Sequence, residues 1–405
     1  MFGVVGVLLA FIIAVLVLNR WHDFGLAMLA GSLIVVLTGG FSLHAGLQVL
    51  WSSLADRNTL ELTLTVVLIN ALGYILKQAG ILEKLVKVML VVLRDLRLLV
   101  VSLPVIIGLL PVPGGAVMSA PLVAETGNKA GLSPEKQAAA NILYRHLVYF
   151  VFPLYPTLIL AESLSGISIA AFARQQALPM AAGLAVSLVV ILRGAAGSVP
   201  GQEQREPWGK AFLKLLHYAL PIYLVIILAV VKVPFIISVG VGILVALFVD
   251  VNTAADAWKR LRYNFLPGLD WKLALAVLGI MVFRGFVEAS GSMNTIADYL
   301  GSLGVPVLLL AIVVPMLTGM ATGSSLAGVG ILLPLFMPLI PPGTDKIAFL
   351  SLVFISTMVG YIASPVHMCL VLTKEACQSR FGGIYPYLLP PLGAILLVSL
   401  LEVLI

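Results

Sequence analysis

Apolar runs of about 20 residues recur along the whole chain, and they restrict its fold more than any other feature. A helix needs about 20 apolar residues to cross the hydrocarbon layer of a membrane. Of the 405 residues, 61% are hydrophobic and only 10% are charged, against about a quarter charged in a soluble domain. We therefore expect an all-α polytopic membrane protein that lies in the lipid bilayer.

Ten of these runs are interpreted as membrane crossings. Five precede a polar linker at 196–210, at about 2–18, 24–40, 60–78, 136–163 and 176–195. Five follow it, at about 211–231, 234–250, 270–290, 346–374 and 384–405. The first run has neither a basic segment before it nor a small-residue cleavage site after it, so we expect a spanning helix rather than a signal peptide.

Two further apolar segments, 100–126 and 305–342, carry proline and glycine in their middle. The first reads Pro111-Val112-Pro113-Gly114-Gly115-Ala116, here called the first tip. The second reads Thr318-Gly319-Met320-Ala321-Thr322-Gly323-Ser324-Ser325, here called the second tip. Such sequences break helices, and irregular backbone at membrane depth must be buried or line a cavity. Both segments are therefore predicted to be re-entrant helical hairpins.

The distribution of Lys and Arg favours this topology. If each hairpin returns to its starting side, eighteen of the 24 basic residues fall on one face and only Arg57, Arg174, Lys232 and Lys346 on the other. The basic face is expected to be cytoplasmic, which places both termini outside. Because the positive charges collect between apolar segments and are not interleaved with aromatics, no nucleic-acid partner is expected.

The two halves of the chain share a pattern at an offset of about 210 residues. In both, a hairpin precedes a long span that is interrupted at the same depth, by Phe152-Pro153-Leu154-Tyr155-Pro156-Thr157 and by Ile362-Ala363-Ser364-Pro365-Val366-His367. We expect repeat 1 at 1–195, a cytoplasmic linker at 196–210 and repeat 2 at 211–405. Five crossings per half is an odd number, so the second repeat would be inverted. This is typical of secondary transporters with a site near the midplane.

Arg145 and Arg284 are expected at membrane depth. An arginine near a helix centre costs about 2.5–3.5 kcal/mol on insertion scales, so it normally faces a cavity or a partner. Arg145 shares a helix face with Asn141, one turn earlier, and either meets an anionic substrate or bonds the hairpin carbonyls. Arg284 is expected to pair with Glu288, one turn later.

Two histidines are also expected within the spans. His146 points away from the face of Arg145, and it is either packed as a neutral ring or carries a proton. His367 follows the second break directly, and it either lines a cavity or packs. The two cysteines, Cys369 and Cys377, have no metal-ligand spacing and are interpreted as packing residues.

The predicted substrate and ion site combines the tips, the breaks and Arg145. Glycines let the backbone approach a ligand, half-helix N-termini favour an anion, and unwound carbonyls and hydroxyls suit Na⁺. The alternative is that the small residues only permit close helix packing. The site residues are Pro113, Gly114, Gly115, Ser119, Asn141, Arg145, Tyr155, Thr157, Thr318, Gly319, Thr322, Gly323, Ser324, Ser325, Ser364, Pro365 and His367, with a possible Na⁺ near Gly114, Gly115, Thr322 and Ser324.

These halves, each with a hairpin followed by a broken helix, resemble the ion transporter superfamily. It includes divalent anion/sodium symporters, gluconate permeases and the large membrane subunits of tripartite carriers. The tips, together with Ser364-Pro365, look most like a branch of small prokaryotic members. The resemblance implies an elevator mechanism in a homodimer in the inner membrane, with Na⁺ or H⁺ as coupling ion and no other cofactor. The Ser-Asn-Thr tip motif of dicarboxylate symporters is absent, so the resemblance does not imply dicarboxylate specificity.

Three functions compete at this point. The first is an ion-coupled symporter of a small organic anion, favoured by Arg145 and the tips. The second is a cation/proton antiporter, which commonly places acidic residues at membrane depth, where this chain has almost none. The third is an enzyme, a channel or an ATP-driven pump. The chain holds no HExxH, GxSxG or GxxxxGK[ST] motif, so neither an enzyme nor an ATP-driven pump is expected.

Overall fold

The computed structural model describes residues 2–21, 23–93, 95–109, 115–197, 207–231, 233–251, 253–291 and 306–405. Within these ranges the regular structure is helical and no strand is present, which confirms the predicted all-α class. Among the described residues, six helical stretches are long and apolar enough to cross a membrane: Arg57–Gln78, Ile169–Leu192, Trp208–Ala229, Ala255–Ala289, Lys346–Ala376 and Phe381–Leu404.

The described part of the first half forms ten helices, most of which begin at a side-chain cap. Asp23, Ser42, Asp56, Ser133 and Ser168 each accept a hydrogen bond from the amide three residues later, which satisfies one of the free amides of the first turn. The helices are α1 Phe2–Trp21, α2 Phe24–Thr38, α3 Leu43–Ala55, α4 Arg57–Gln78, α5 Ile81–Val92, α6 Leu96–Gly108, α7 Gly115–Lys129, α8 Pro134–Leu147, α9 Pro156–Ser165 and α10 Ile169–Leu192.

The described part of the second half continues with the same kinds of element. The helices are α11 Trp208–Val230, α12 Phe235–Phe248, α13 Ala254–Arg260, α14 Leu266–Gly268, α15 Trp271–Ala289, α16 Val307–Thr322, α17 Ser325–Phe336, α18 Lys346–Ala363, α19 Met368–Ala376 and α20 Phe381–Leu404. A π-helical turn, Leu261–Phe265, joins α13 to α14.

Some helices differ from the sequence prediction. The segments predicted to cross at 24–40 and 234–250 form helices of 15 and 14 residues, which rise only about 21–22 Å against a hydrocarbon layer of about 30 Å. Gly39 ends the first of them and Pro234 precedes the second. Helix α3 was not predicted. It is a 13-residue helix with no buried residue. Polar residues interrupt the apolar ones in its sequence, LHAGLQVLWSSLA, so it contains no long apolar run.

The described helices pack as two groups. The core group contains α6–α10 and α16–α20, and the peripheral group contains α1–α5 and α11–α15. Contacts are dense within each group and sparse between them. The main contacts between the groups are those of α1 with α16, α4 with α9, α5 with α6 and α15 with α17. Each group therefore combines helices from both halves of the chain.

The two halves exchange partners symmetrically inside the core group. Each half has a helix pair before its interrupted span, α6 with α7 and α16 with α17. The first helix of each pair packs on the upstream part of the span in its own half, so α6 contacts α8 and α16 contacts α18. The second helix, α7 or α17, also packs on the downstream part of the other half's span, α19 or α9. This exchange brings both breaks, the second tip and the described part of the first tip, Gly115 and Ala116, towards the same part of the protein.

In the peripheral group an ionic contact joins α5 to the second half. Lys84 donates a hydrogen bond of 2.8 Å to Asp250, whose other oxygen lies 3.2 Å from the Nε2 atom of His217. Burial would raise the pKa of this carboxyl, but the hydrogen bonds and charges of Lys84 and His217 outweigh it, and the pKa lies below its ordinary value.

Glycines permit the closest helix contact in the core group, that of α16 with α18. A Cβ atom at Gly319 would clash with the carbonyl oxygen of Thr357, and one at Gly360 would clash with that of Met316. The two backbones are therefore in direct contact, as is common for small residues at helix interfaces within membranes.

We predict that Gly360→Ala destabilises the protein by about 1–3 kcal/mol, because the added methyl group forces the two backbones apart. The matched control is Gly393→Ala in α20, where a Cβ atom meets nothing within 4 Å. Thermal unfolding in detergent, followed by size-exclusion chromatography, measures both. Equal melting temperatures for the two variants would contradict the close contact.

Candidate functional site

Both interrupted spans break at proline within the core group. Helix α8 gives way to a 3-10 turn, Val148–Phe150, and α9 begins at Pro156, while α18 ends at Ala363 and α19 begins at Met368. The residues that precede α9 and α19, Tyr155 and His367, make no side-chain cap. The amides of the first turn of each helix therefore lack a side-chain partner at the break.

The second tip is a tight turn between α16 and α17. Gly323 has a φ of +56° and Ser324 caps α17 through its hydroxyl, so the left-handed conformation that glycine adopts easily reverses the chain here. Thr318 and Thr322 each donate a 2.8 Å hydrogen bond to a carbonyl of their own helix. Their hydroxyl hydrogens are therefore used locally, and only their oxygen lone pairs remain for a ligand.

The second tip contacts the first break through Ser325. Its hydroxyl shares a hydrogen bond of 2.5 Å with the Tyr155 hydroxyl and one of 3.0 Å with that of Thr157. All three residues are buried. Three predicted site residues from both halves of the chain are thus brought together.

The second break is tied to the helix pair that precedes it. The Ser364 hydroxyl donates a 2.6 Å hydrogen bond to the carbonyl of Met320 and accepts one of 3.3 Å from the amide of Val366. Pro365 and Val366 are exposed. Ser364 therefore positions the break, and its hydrogen is not free for a ligand.

At the first tip, the predicted site residues Pro113 and Gly114 lie outside the described residues. Gly115 opens α7, and a Cβ atom there would overlap the guanidinium group of Arg145. Ser119 is buried and donates to the Gly115 carbonyl at 3.3 Å. A guanidinium group against Gly115 makes this side of the site more suitable for an anion than for Na⁺.

Arg145 is the central charged residue of the core group. It is 2% exposed, and its Nε and Nη1 atoms have no hydrogen-bond partner in the described part of the chain. Tyr149 and Cys369 lie within hydrogen-bonding reach of the guanidinium group, and Tyr361 lies nearby. No carboxylate forms an ion pair with Arg145 within the described residues. A buried charge normally needs such a partner, and the described part of the chain does not supply one for Arg145.

Asn141 lies on the same helix face as Arg145, as predicted, and joins the two interrupted spans. Its Nδ2 atom donates a 2.7 Å hydrogen bond to the hydroxyl of Thr373 in α19. Its Oδ1 atom is buried without a partner. Thr373 was not predicted as a site residue, since a single hydroxyl in an apolar helix gives no distinctive signal.

A cluster of rings surrounds the two histidines. The ring of His367 lies 4.8 Å from that of His146 and 4.1 Å from that of Tyr361, measured between centroids. Tyr149 stacks on Tyr155 at 4.1 Å. Sequence analysis missed Tyr149 and Tyr361. The spacing of Tyr149 four residues after Arg145, which places it on the same helix face, could have identified it.

The two histidines form a pair that holds at most one proton. Two unit charges about 5 Å apart repel by about 3 kcal/mol at an effective dielectric constant of about 20, and Arg145 adds to this repulsion at both rings. Within the described residues no acidic side chain faces the pair to offset this repulsion. Simultaneous protonation of His146 and His367 is therefore strongly unfavourable.

His146, His367 and Cys369 are the types of residue that bind soft metal ions, and their ligand atoms lie within 4.8 Å of one another. In a tetrahedral site with bonds of about 2.0–2.3 Å the ligand atoms are only about 3.5 Å apart. The neighbouring guanidinium group of Arg145 also repels a cation. The geometry and the charge therefore favour an anion over a metal ion here.

Arg284 differs from Arg145 because its charge is paired. Its Nε atom donates a 2.6 Å hydrogen bond to Glu288, as the one-turn spacing predicted, and Nη1 donates to the carbonyl of Ser163 at 3.3 Å. Together with Asp56, it lines a cleft of about 570 Å³. The charge of Arg284 is therefore neutralised by the protein itself.

We predict that Ser325→Ala destabilises the protein by about 1–3 kcal/mol, because it leaves two buried hydroxyls, those of Tyr155 and Thr157, without their shared partner. Combining it with Tyr155→Phe should cost less than the sum of the two single changes. Ser52→Ala, at an exposed hydroxyl of α3, is the control. Additive effects in a thermal unfolding cycle would show that the hydroxyls do not interact.

A comparison with curated proteins finds no match to this chain. A family model, described as "Protein of unknown function (DUF401)", matches residues 3–405. Since that match covers nearly the whole chain, the protein belongs to the DUF401 family.

Proposed function

We propose that this protein is an ion-coupled secondary transporter, rather than an enzyme, and that it carries a small organic anion in symport with Na⁺ or H⁺. The observation that carries the proposal is Arg145. Its guanidinium group is buried where the two breaks meet, and two of its nitrogen atoms lack partners within the described residues. A carboxylate would supply the missing charge and accept a charge-assisted hydrogen bond from one of these nitrogens.

The helix ends at the breaks support an anionic substrate. Helices α9 and α19 begin there without side-chain caps, and the N-terminus of a helix carries a partial positive charge. These two ends add to the charge of Arg145. Discontinuous helices whose N-termini meet near the midplane are typical of secondary transporters.

The two packed groups support an elevator mechanism. The core group contains the described parts of the tips and both breaks, whereas its contacts with the peripheral group are sparse. We propose that the core group moves as the transport domain against the peripheral group as scaffold. In this proposal the chain forms ten crossings and two re-entrant hairpins in inverted repeats, and both termini lie outside the inner membrane in a homodimer.

The alternative of a cation/proton antiporter has less support. Such a protein needs a group that binds the cation, commonly a carboxylate at membrane depth. In the described part of the chain, Asp and Glu do not reach Arg145 or the two histidines. The charge of Arg145 also disfavours a cation at this position.

We predict that Arg145→Gln lowers anion uptake at least about 30-fold at subsaturating concentration, which corresponds to the loss of about 2 kcal/mol. Proteoliposomes would be offered labelled acetate, lactate, gluconate, succinate and citrate, with Na⁺ and pH gradients imposed in turn. The fold of the variant is checked by its elution volume and melting temperature.

Arg284→Gln is the matched control, because the charge of Arg284 is already paired with Glu288. It should retain uptake. If Arg145→Gln transports normally and Arg284→Gln does not, the anion site lies elsewhere. If every anion stays outside the wild-type vesicles under both gradients, the symport proposal fails.

A further inference from the structure

His367 is a buried imidazole with unused polar atoms. It is 2% exposed, and neither ring nitrogen makes a hydrogen bond in the described part of the protein, although the carbonyl of Ile362 lies near the ring. Burying polar atoms without partners is unfavourable. The ring directly precedes α19, at the break that meets Arg145. With both ring nitrogens unused within the described residues, His367 can accept a proton or bind a ligand when the site is occupied.

His146, the other member of the pair, is already used as a neutral ring. Its Nδ1 atom lies 2.7 Å from the carbonyl oxygen of Ile142, which assigns the ring hydrogen to Nδ1. Its Nε2 atom then accepts from the Tyr361 hydroxyl at 3.4 Å. Because the pair holds at most one proton, His367 is the residue left to receive it.

The groups that face His367 carry one fixed charge. Helix α8 contributes Arg145 and His146, and Tyr361 and Cys369 also lie beside the ring. Tyr149 packs on His146, and Tyr155 stacks on Tyr149. The other ionisable groups of the helices packed on α19 are Glu125 and Lys129, which form an exposed ion pair with each other, and Tyr144, Glu135 and Lys136 on α8. Within the described residues no carboxylate faces the ring.

We propose that His367 takes up one proton with each monovalent carboxylate that binds at Arg145, so that anion and proton cross the membrane together. This inference rests on the proposed function and names its coupling ion. In the empty site Arg145 supplies one positive charge, and a second charge on His367 would be repelled. A bound carboxylate cancels the charge of Arg145. Protonation of His367 then returns the site to a single net positive charge.

This charge balance has a mechanistic consequence. The loaded site, with Arg145, one carboxylate and one proton, carries the same net charge as the empty site. The proton comes from water on the side where the anion binds, forms an N–H bond on His367 and returns to water on the other side. One anion and one proton cross in each cycle, so transport is electroneutral. The electrical work of moving the site's single positive charge in the loaded state is cancelled when the empty site moves back.

We predict that the wild-type protein takes up about one proton for each acetate, lactate or gluconate bound. Calorimetry in two buffers of different ionisation enthalpy measures this number near pH 7. The dissociation constant should rise by up to about tenfold per pH unit between pH 6.5 and 8.5. In His367→Gln the proton uptake should vanish and this rise should fall below about twofold per unit. His44→Gln, at an exposed histidine of α3, is the matched control and should behave as the wild type.

Several outcomes would overturn the inference. The inference fails if the wild-type protein binds an anion without taking up a proton, whether or not His367→Gln folds. It also fails if the wild-type protein binds succinate or citrate but none of the monocarboxylates. Uptake driven by Na⁺, independent of pH and sensitive to a K⁺ diffusion potential set with valinomycin, would leave the transporter proposal standing and remove the role of His367. If no anion of the panel binds or enters, both proposals fail.

Discussion

A desolvated guanidinium group for which the described part of the chain supplies no counter-ion is the feature on which the rest of the core group depends. Removing a charge from water costs several kcal/mol even after the protein relaxes, and in a membrane the alternatives to a partner are few. Arg145 is surrounded by tyrosine rings, Cys369 and the glycine that opens α7. Within the described residues the protein supplies donors, dipoles and aromatic faces at this position but no negative charge. That combination is suited to a ligand that brings the negative charge with it.

The breaks around Arg145 are held rigidly by hydrogen bonds that cross between the two halves. Ser325 joins the second tip to the first break, and Asn141 joins α8 to α19. Together with the local hydrogen bonds of Ser119, Thr318, Thr322 and Ser364, these bonds use most of the hydroxyls that sequence analysis assigned to ligand binding. The main contribution of these hydroxyls is therefore to position the backbone. The polar atoms left without partners include those of Arg145, Asn141 and His367. A ligand would therefore interact with these side chains and with helix ends more than with serine and threonine hydroxyls.

The division into a core group and a peripheral group separates two physical tasks. The core group holds the irregular backbone and the buried polar atoms, which need many hydrogen bonds and tight glycine contacts such as that of α16 with α18. The peripheral group contains apolar helices with broad exposed faces, which suit lipid and subunit contacts. The network around Arg145 lies within the core group, and few contacts join that group to the peripheral group.

The sequence by itself determined the helical class, the positions of the breaks and the pairing of Arg284 with Glu288. These follow from local rules: proline and glycine disrupt a helix wherever they occur, and residues four apart share a helix face. It could not identify Tyr361 or Cys369 as neighbours of Arg145. Sequence analysis also overlooked Tyr149, four residues after Arg145, and the short exposed helix α3. Tyrosines and cysteines are ordinary residues of apolar helices. Their convergence on one arginine depends on packing between segments about 200 residues apart in the chain. Only the tertiary structure decided which predicted hydroxyls are used within the protein and which charge remains unpaired, because burial and hydrogen-bond partners are set when the two halves pack together.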